Sequence, residues 1–535
     1  MNEANVASVS PTGANPRRGL RWWPAWLILL AVAGTLIWVW GFYGRQRQDR
    51  NLATLITFVL TIPLLLLWWL FLSRAPWKQR LVGAAAVVLP IGLVAALFRI
   101  NGVTGDLIPV LKWRWAGAAW VAAGAPGPAK TNLAPARIEG VTADFPQFQG
   151  PTRDGVLPGP NLARDWVARP PKLLWKQPVG PGWSGFAVAG RRAITMEQRG
   201  DQETVDAYDL VTGAPLWSDS EPIHFQSDLA GEGPRATPTV AGGRVFALGA
   251  TGLLTCLDLE TGRRLWSNNI VSDSAAKVEG WGMTSSPLVV DDLVVVSAGG
   301  GGKNRSLVAY RAAGGEFAWG GGTEGAGYSS ALAATLGGVR QILIFNNGGV
   351  YAHNPTNGAV LWNYHWPGGH PHISVPVVLP GDRLLISSGY GTGSELVQIE
   401  KGADGRLGAK RLWKSNRLKA KFTNLVVHKG FIYGLDDGIM VCLDESSGAL
   451  KWKEGRYGHG QELLVGSLIL VGAESGEMIL LDPDPAQPRE LTRFAALSGK
   501  TWNPPALAGE YLVVRNDREA ACYRLPVVAQ GTGGR

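Results

Sequence analysis

The sequence predicts an all-β, eight-bladed β-propeller of four-stranded antiparallel blades, preceded by three transmembrane α-helices. Tryptophan recurs at positions 175, 217, 266, 319, 362, 413 and 452, a mean spacing of about 46 residues. Each period holds short Val/Ile/Leu runs separated by Gly-Gly, Asp-Asp or Thr-Gly pairs, the chemistry of tight hairpins. A period in the forties built from short β-runs marks propeller blades rather than helical repeats. Before residue 100, three apolar runs of 18 to 21 residues follow one another with short basic loops between them.

In chain order, residues 1–21 are a basic tail. The runs 22–42, 52–72 and 81–98 are the expected spans of a membrane domain covering 22–123. Twenty-one helical residues rise about 31 Å, the thickness of a hydrocarbon core. Trp22, Trp23, Trp68, Trp69 and Trp77 lie near the ends of these runs, where indoles favour the headgroup layer. The amphipathic segment GDLIPVLKWRW (105–115) is expected at the membrane surface. Residues 124–146, rich in Ala, Pro and Gly, read as a linker; 147–527 form the propeller and 528–535 a disordered tail.

The charge distribution supports this division. Residues 1–150 carry 14 Lys/Arg against 5 Asp/Glu, whereas the remainder carries 37 of each. The basic excess therefore flanks the apolar runs, which points to the bilayer and not to nucleic acid as its partner. Lys and Arg divide equally between the two sides, so charge alone does not orient the spans. Three cysteines, none in a Cys-x-x-Cys pair, exclude a disulfide scaffold and a zinc or haem attachment site.

The repeat is explicit in AYDLVTGAPLW (207–217), CLDLETGRRLW (256–266), AYRAAGGEFAW (309–319), AHNPTNGAVLW (352–362) and CLDESSGALKW (442–452). Eight units begin near 187, 237, 285, 330, 375, 424, 463 and 505. A single sheet buries neither face alone, so each blade must lean on its neighbours, with the Trp as wedge. The small residue at the motif's first position is expected to make room for the next blade's indole. Cys256, Cys442 and Cys522 occupy that slot, which makes them structural. The eighth unit is expected to close with a strand from 165–180, near Trp175, leaving no free edge.

The pattern Ala-x-Asp-x-x-x-Gly-x-x-x-Trp resembles the docking motif of the pyrroloquinoline-quinone-like (PQQ-like) propeller superfamily. The lead-in FPQFQGPTRDG (145–155), together with GPRATPTV (233–240), RLKAKF (417–422), GRYGHGQ (455–461) and KTWNPPALAG (500–509), resembles its membrane-anchored bacterial members. The resemblance implies one of two functions. One is a non-catalytic, BamB-like binding or scaffold module at the cell envelope, with an envelope protein, peptide or glycan as partner. The other is a PQQ-dependent alcohol or sugar dehydrogenase using PQQ and Ca2+. The adjacent cysteines that cover the quinone in many such dehydrogenases are absent here, and there is no Cys-x-x-Cys-His haem site. The resemblance also implies a multi-pass protein of the bacterial inner membrane with a periplasmic propeller.

Other catalytic signals are thin. SGKT (498–501) lacks the upstream Gly of a phosphate loop, since residue 494 is Phe. GWSGF (182–186) lacks the final Gly of a nucleophile elbow. His365, His370 and His372 share a loop without a carboxylate and read as a polar crossover. No catalytic residue or resident cofactor is expected. A ligand would meet the residues opening each innermost strand, at one mouth of the channel: Arg235, Trp281, Tyr328, His372, Lys421, His459 and Trp502. Second hairpins on the same face present Lys303, Arg305, Tyr390, Asn516, Asp517 and Arg518. They also present Asp436 and Asp437, which offer oxygen ligands to calcium or simply form a hairpin turn.

Overall fold

Each unit of the repeat folds into four antiparallel strands in a computed structural model that describes residues 19–43, 46–115 and 144–528. Those residues divide into two compact units. One runs to Ile100 and includes Asp106–Trp115; the other is Asn101–Gly105 together with the described chain from residue 144 onward.

The second unit is the eight-bladed propeller. Blade 1 consists of Ala187–Ala189, Arg192–Arg199, Gln202–Asp209 and Pro215–Glu221. Blades 2 to 6 follow over 239–269, 288–321, 332–365, 377–415 and 426–456. Blade 7, 461–495, gains a fifth strand because Val156–Leu157 pairs in parallel with its innermost strand. Blade 8 takes three strands from 506–524 and its outermost from Lys172–Pro178. An early and a late segment of the propeller thus seal one sheet, as the position of Trp175 predicts.

The motif's chemistry is specific. Asp444 Oδ1 accepts from the N–H and hydroxyl groups of Ser446 and Ser447, closing the turn between the last two strands. These bonds hold its carboxyl below the ordinary pKa. The turn then presents the motif glycine to the preceding blade. A Cβ on Gly262 would stand 2.6 Å from the Trp217 ring, one on Gly315 2.7 Å from Trp266, and one on Gly448 2.6 Å from Trp413. Each indole Nε1–H donates to a carbonyl in the same turn, Trp217 to Leu259 at 3.0 Å and Trp413 to Glu445 at 2.8 Å. This corrects the role expected of the small residue. Cys256 is paired across the sheet with Trp266 of its own blade, and Cys442 with Trp452; glycine receives the neighbour's indole. All three cysteines are buried, and burial pushes the Cys256 thiol up to about 12.

A belt of hydrogen bonds links the innermost strands. Gly185 N–H donates to Thr237 Oγ1, Thr237 N–H to Ser286 Oγ, and Ser286 N–H to Ser330 Oγ. Ser329 Oγ–H then donates to the Ser374 carbonyl and Val375 N–H to Asn424 Oδ1. Asn424 Nδ2 reaches Gln461 Oε1, Gln461 Nε2 reaches the Trp502 carbonyl, and Asn503 Nδ2 returns to the Ser184 carbonyl. Every seam, including the one between blades 8 and 1, is crossed.

The lead-in segment closes the end of the inner strands remote from their starting residues. Phe145 bridges Val188, and Val240 N–H donates to the Pro146 carbonyl. The guanidinium of Arg153, 4% exposed, donates to the carbonyls of Ser286 and Pro287 at 2.9 Å each.

In the first unit, α1 (Trp23–Gly41), α2 (Arg47–Leu67, continuing through a π-helical turn at Trp68–Leu72) and α3 (Trp77–Leu97) are long and apolar enough to cross a membrane. Their large apolar side chains are mostly exposed. Arg80 donates to the Leu70 and Ala75 carbonyls, satisfying backbone left open where the second helix ends. The amphipathic segment contributes a strand, Pro109–Trp113. The basic tail before residue 19, most of the linker 124–146 and the tail beyond 528 lie outside the described residues.

Candidate functional site

The mouth is built by the turns that lead into the innermost strands, because the belt fixes the residue after each turn and leaves the turn itself facing outward. One contiguous cluster gathers there from blades 1, 5, 6, 7 and 8. The Trp183 and Trp502 rings lie 4.8 Å apart, and Phe422 is 5.0 Å from both Trp502 and His459. Lys500 Nζ sits 4.1 Å from the Trp502 centroid and 4.7 Å from that of Trp183. Lys421 Nζ is 5.2 Å from the Tyr390 centroid, and Tyr390 stacks on His370 at 5.3 Å. Burial lowers the pKa of Lys500, so contact with the electron-rich ring faces compensates lost hydration.

Glu474 ties the cluster together. Its Oε1 accepts from the Trp502 indole at 2.9 Å, and its Oε2 accepts from the His459 backbone N–H at 3.1 Å. An acid, two ammonium groups and the aromatic side chains of Trp183, Tyr390, Phe422 and Trp502 thus share one surface. Such a surface pairs with both the donor and the acceptor of an amide, and stacks on flat apolar groups.

The structure brings Lys421, His459 and Trp502 into this cluster and places the other predicted residues differently. Trp281 and Tyr328 form a separate aromatic pair at 4.9 Å. Arg235 braces its own loop, donating to the Gly231 carbonyl at 2.7 Å and to that of Gly233, over the Phe225 ring. Burial lowers its pKa to about 10. His372 is 1% exposed and stacked on Phe345 at 4.4 Å; its nitrogens face the Asn346 and Pro367 carbonyls. Burial lowers its pKa, favouring the neutral ring. Its role is to support the mouth from beneath.

Asp436 is buried between Lys419, whose Nζ is 2.5 Å from Oδ1, and Lys453, whose Nζ meets Oδ2. Burial raises the pKa of neighbouring Asp437, 3.6 Å from Lys419. Among the described residues, no group of three or more His, Cys, Asp or Glu side chains is gathered to hold a metal. Sequence reasoning missed Trp183, Phe422, Glu474 and Lys500. Trp183 lies in GWSGF and Lys500 in SGKT, two stretches that fall short of the catalytic motifs they resemble.

The family model described as outer membrane protein assembly factor BamB matches residues 201–454. No curated protein matches the chain by sequence. Among solved structures, BamB from Moraxella catarrhalis is similar at 16% identity and TM-score 0.49, covering 66% of this chain and all of its own. The quinohemoprotein alcohol dehydrogenase ADHIIG from Pseudomonas putida HK5 is similar at 15% identity and TM-score 0.52, covering 74% of this chain and 82% of its own. The BamB family model thus spans the central blades, where the eleven-residue motif docks blade on blade, and the chain shares the propeller fold of the quinohemoprotein dehydrogenase.

Proposed function

We propose that this protein is a membrane-anchored, non-catalytic binding module of the bacterial cell envelope. In this reading the three helices hold it in the inner membrane, and the propeller, on the periplasmic side, engages an envelope partner at its mouth. The observation that carries it is the Lys421–Lys500–Glu474 group set among Trp183, Phe422 and Trp502. Charged groups set over aromatic faces are the chemistry of ligand recognition.

The dehydrogenase reading needs calcium to hold the quinone. Both Asp436 oxygens are already held by ammonium groups, so the donor set does not fit the ion. The test is photo-crosslinking in intact cells. A photoreactive residue replacing Trp281 at the mouth rim should capture a defined envelope species. The same residue replacing Val360, exposed on an outer strand, should not. Adding Lys421→Met should abolish capture without changing the melting temperature. Identical products from both positions would overturn the reading, as would a rise in melting temperature with dye reduction on adding PQQ, calcium and an alcohol or sugar.

A further inference from the structure

The mouth carries a peptide of its own chain. Residues 101–105, Asn-Gly-Val-Thr-Gly, belong to the propeller unit although both flanking segments belong to the other. Gly105 N–H donates to Glu474 Oε1 at 2.8 Å, and Lys421 Nζ donates to the Gly105 carbonyl at 2.5 Å. Lys500 Nζ donates to the Val103 carbonyl at 3.2 Å. One carboxylate and one ammonium group thus clamp the donor and acceptor of a single residue, and a second ammonium group holds the carbonyl two residues earlier. All three bonds are to main-chain atoms, and Gly105 stands in the turn that follows the strand Phe98–Val103, so they read the backbone of a strand end and its turn. Side-chain selectivity enters at one point: a Cβ on Gly105 would collide with the His459 ring. That ring is buried and packed on Phe422, so it has little room to yield.

From this geometry we infer that the mouth is a peptide-backbone receptor selective for glycine at the clamped position, and that residues 101–105 are its tethered occupant. The inference rests on the binding-module reading above and names the partner class as a polypeptide segment that turns at a glycine. Glu474 is pre-oriented by Trp502 and His459, and Lys500 by the two indoles, so the clamp does not have to be assembled on binding. A ligand on a short tether acts at an effective concentration in the millimolar range. It therefore masks the site, and an incoming segment binds only in proportion to the fraction of molecules in which the tether is out. The mouth is in this way held closed by a weak competitor that a suitable partner segment displaces.

The test uses the full chain in detergent micelles and a capped, fluorescent Asn-Gly-Val-Thr-Gly pentapeptide. The wild type should bind it weakly. Gly105→Val, which expels the tether, should bind at least about tenfold more tightly. Adding Lys421→Met should remove the gain, and a pentapeptide ending in valine should not bind. As a measurement independent of that variant's folding, excess pentapeptide should accelerate hydrogen exchange at 101–105 in the wild type. Unchanged affinity in a normally melting Gly105→Val protein, or unchanged exchange under saturating peptide, overturns the inference. If either occurs while crosslinking from the mouth rim still depends on Lys421, the binding-module reading stands and only the peptide assignment fails.

Discussion

The indole of Trp175 packs against Gly213, and its Nε1–H donates to the Leu210 carbonyl at 2.8 Å. Trp175 stands on the strand that completes blade 8, and Gly213 in the last turn of blade 1, so this contact closes the ring. Gly213 has φ +72°, and a Cβ there would stand 2.7 Å from the indole. Gly213→Ala therefore meets two penalties: about 1–2 kcal/mol for a left-handed non-glycine residue and a further ~1–3 kcal/mol for overpacking. Gly190→Ala, at φ +53° with nothing within 4 Å, meets the first alone. Urea unfolding followed by tryptophan fluorescence should rank them in that order. Equal losses would mean that the indole yields and the seam is soft.

Arg153 crosses from the lead-in segment to the third blade and satisfies two carbonyls that lie beside the belt. Burial pulls its pKa down to about 9, so its charge is held by those carbonyls and by Gln147 at 3.1 Å. Arg153→Met should cost about 1–3 kcal/mol, because it leaves the buried Ser286 carbonyl without its donor, while the Pro287 carbonyl still accepts from the Thr239 hydroxyl. It should also speed proteolysis within 144–160, while pentapeptide binding at the opposite end remains unchanged. A melting temperature equal to that of the wild type would show the plug to be held by its strand pairing alone.

The parts of this architecture that recur in the chain were readable from it, and those that do not recur were hidden. Tryptophans repeat, so blade number and closure at Trp175 follow from spacing. The inner-strand starts repeat as well, so Lys421, His459 and Trp502 follow from register. Two small residues share each motif, however, and periodicity does not say which faces its own blade's indole and which the neighbour's; only the fold separates Cys256 from Gly262. Glu474 sits in a second hairpin and Lys500 in an irregular loop, and no period marks either. His372 occupies a mouth position by register, but its ring turns inward because Phe345 offers a stacking face from a strand 27 residues away in sequence.

Glu462 lies on the innermost strand of blade 7, fully buried, and neither carboxyl oxygen has a hydrogen-bond partner among the described residues. Burial raises its pKa well above the ordinary value of 4.5. The folded state thus keeps a proton that the unfolded chain releases. The associated stability is complete below about pH 4.5 and is lost as pH rises through the folded pKa. Asp206, raised to about 7 by burial and by nearby Glu197, acts with the same sign. Glu462→Gln should match the wild type at pH 4 and melt higher at pH 8. The gap should grow by about 1.4 kcal/mol for each pH unit over which the folded protein alone holds the proton. A gap independent of pH would mean that the carboxyl ionises at its ordinary value.

Asp436 gives the last prediction, because the same carboxylate is either a calcium ligand or a lysine clamp. Its Oδ1 accepts from Lys419 Nζ and from the Lys419 backbone N–H at 2.8 Å, and its Oδ2 meets Lys453 Nζ. Calcium takes six to eight oxygens; entering here it would face two ammonium groups that already hold the one buried carboxyl group between them. Burial raises the pKa of Asp437, which weakens the second acid further. Millimolar calcium or its chelation should therefore leave the melting temperature unchanged. Asp436→Asn should destabilise by about 2–3 kcal/mol, less than for a fully buried pair because Lys453 remains about one-third exposed. Lys453→Met should cost less than Asp436→Asn, since Lys419 still neutralises the carboxylate. A calcium-dependent rise in melting temperature that Asp436→Asn removes would reverse the assignment and return the mouth to the metal chemistry of the dehydrogenase branch.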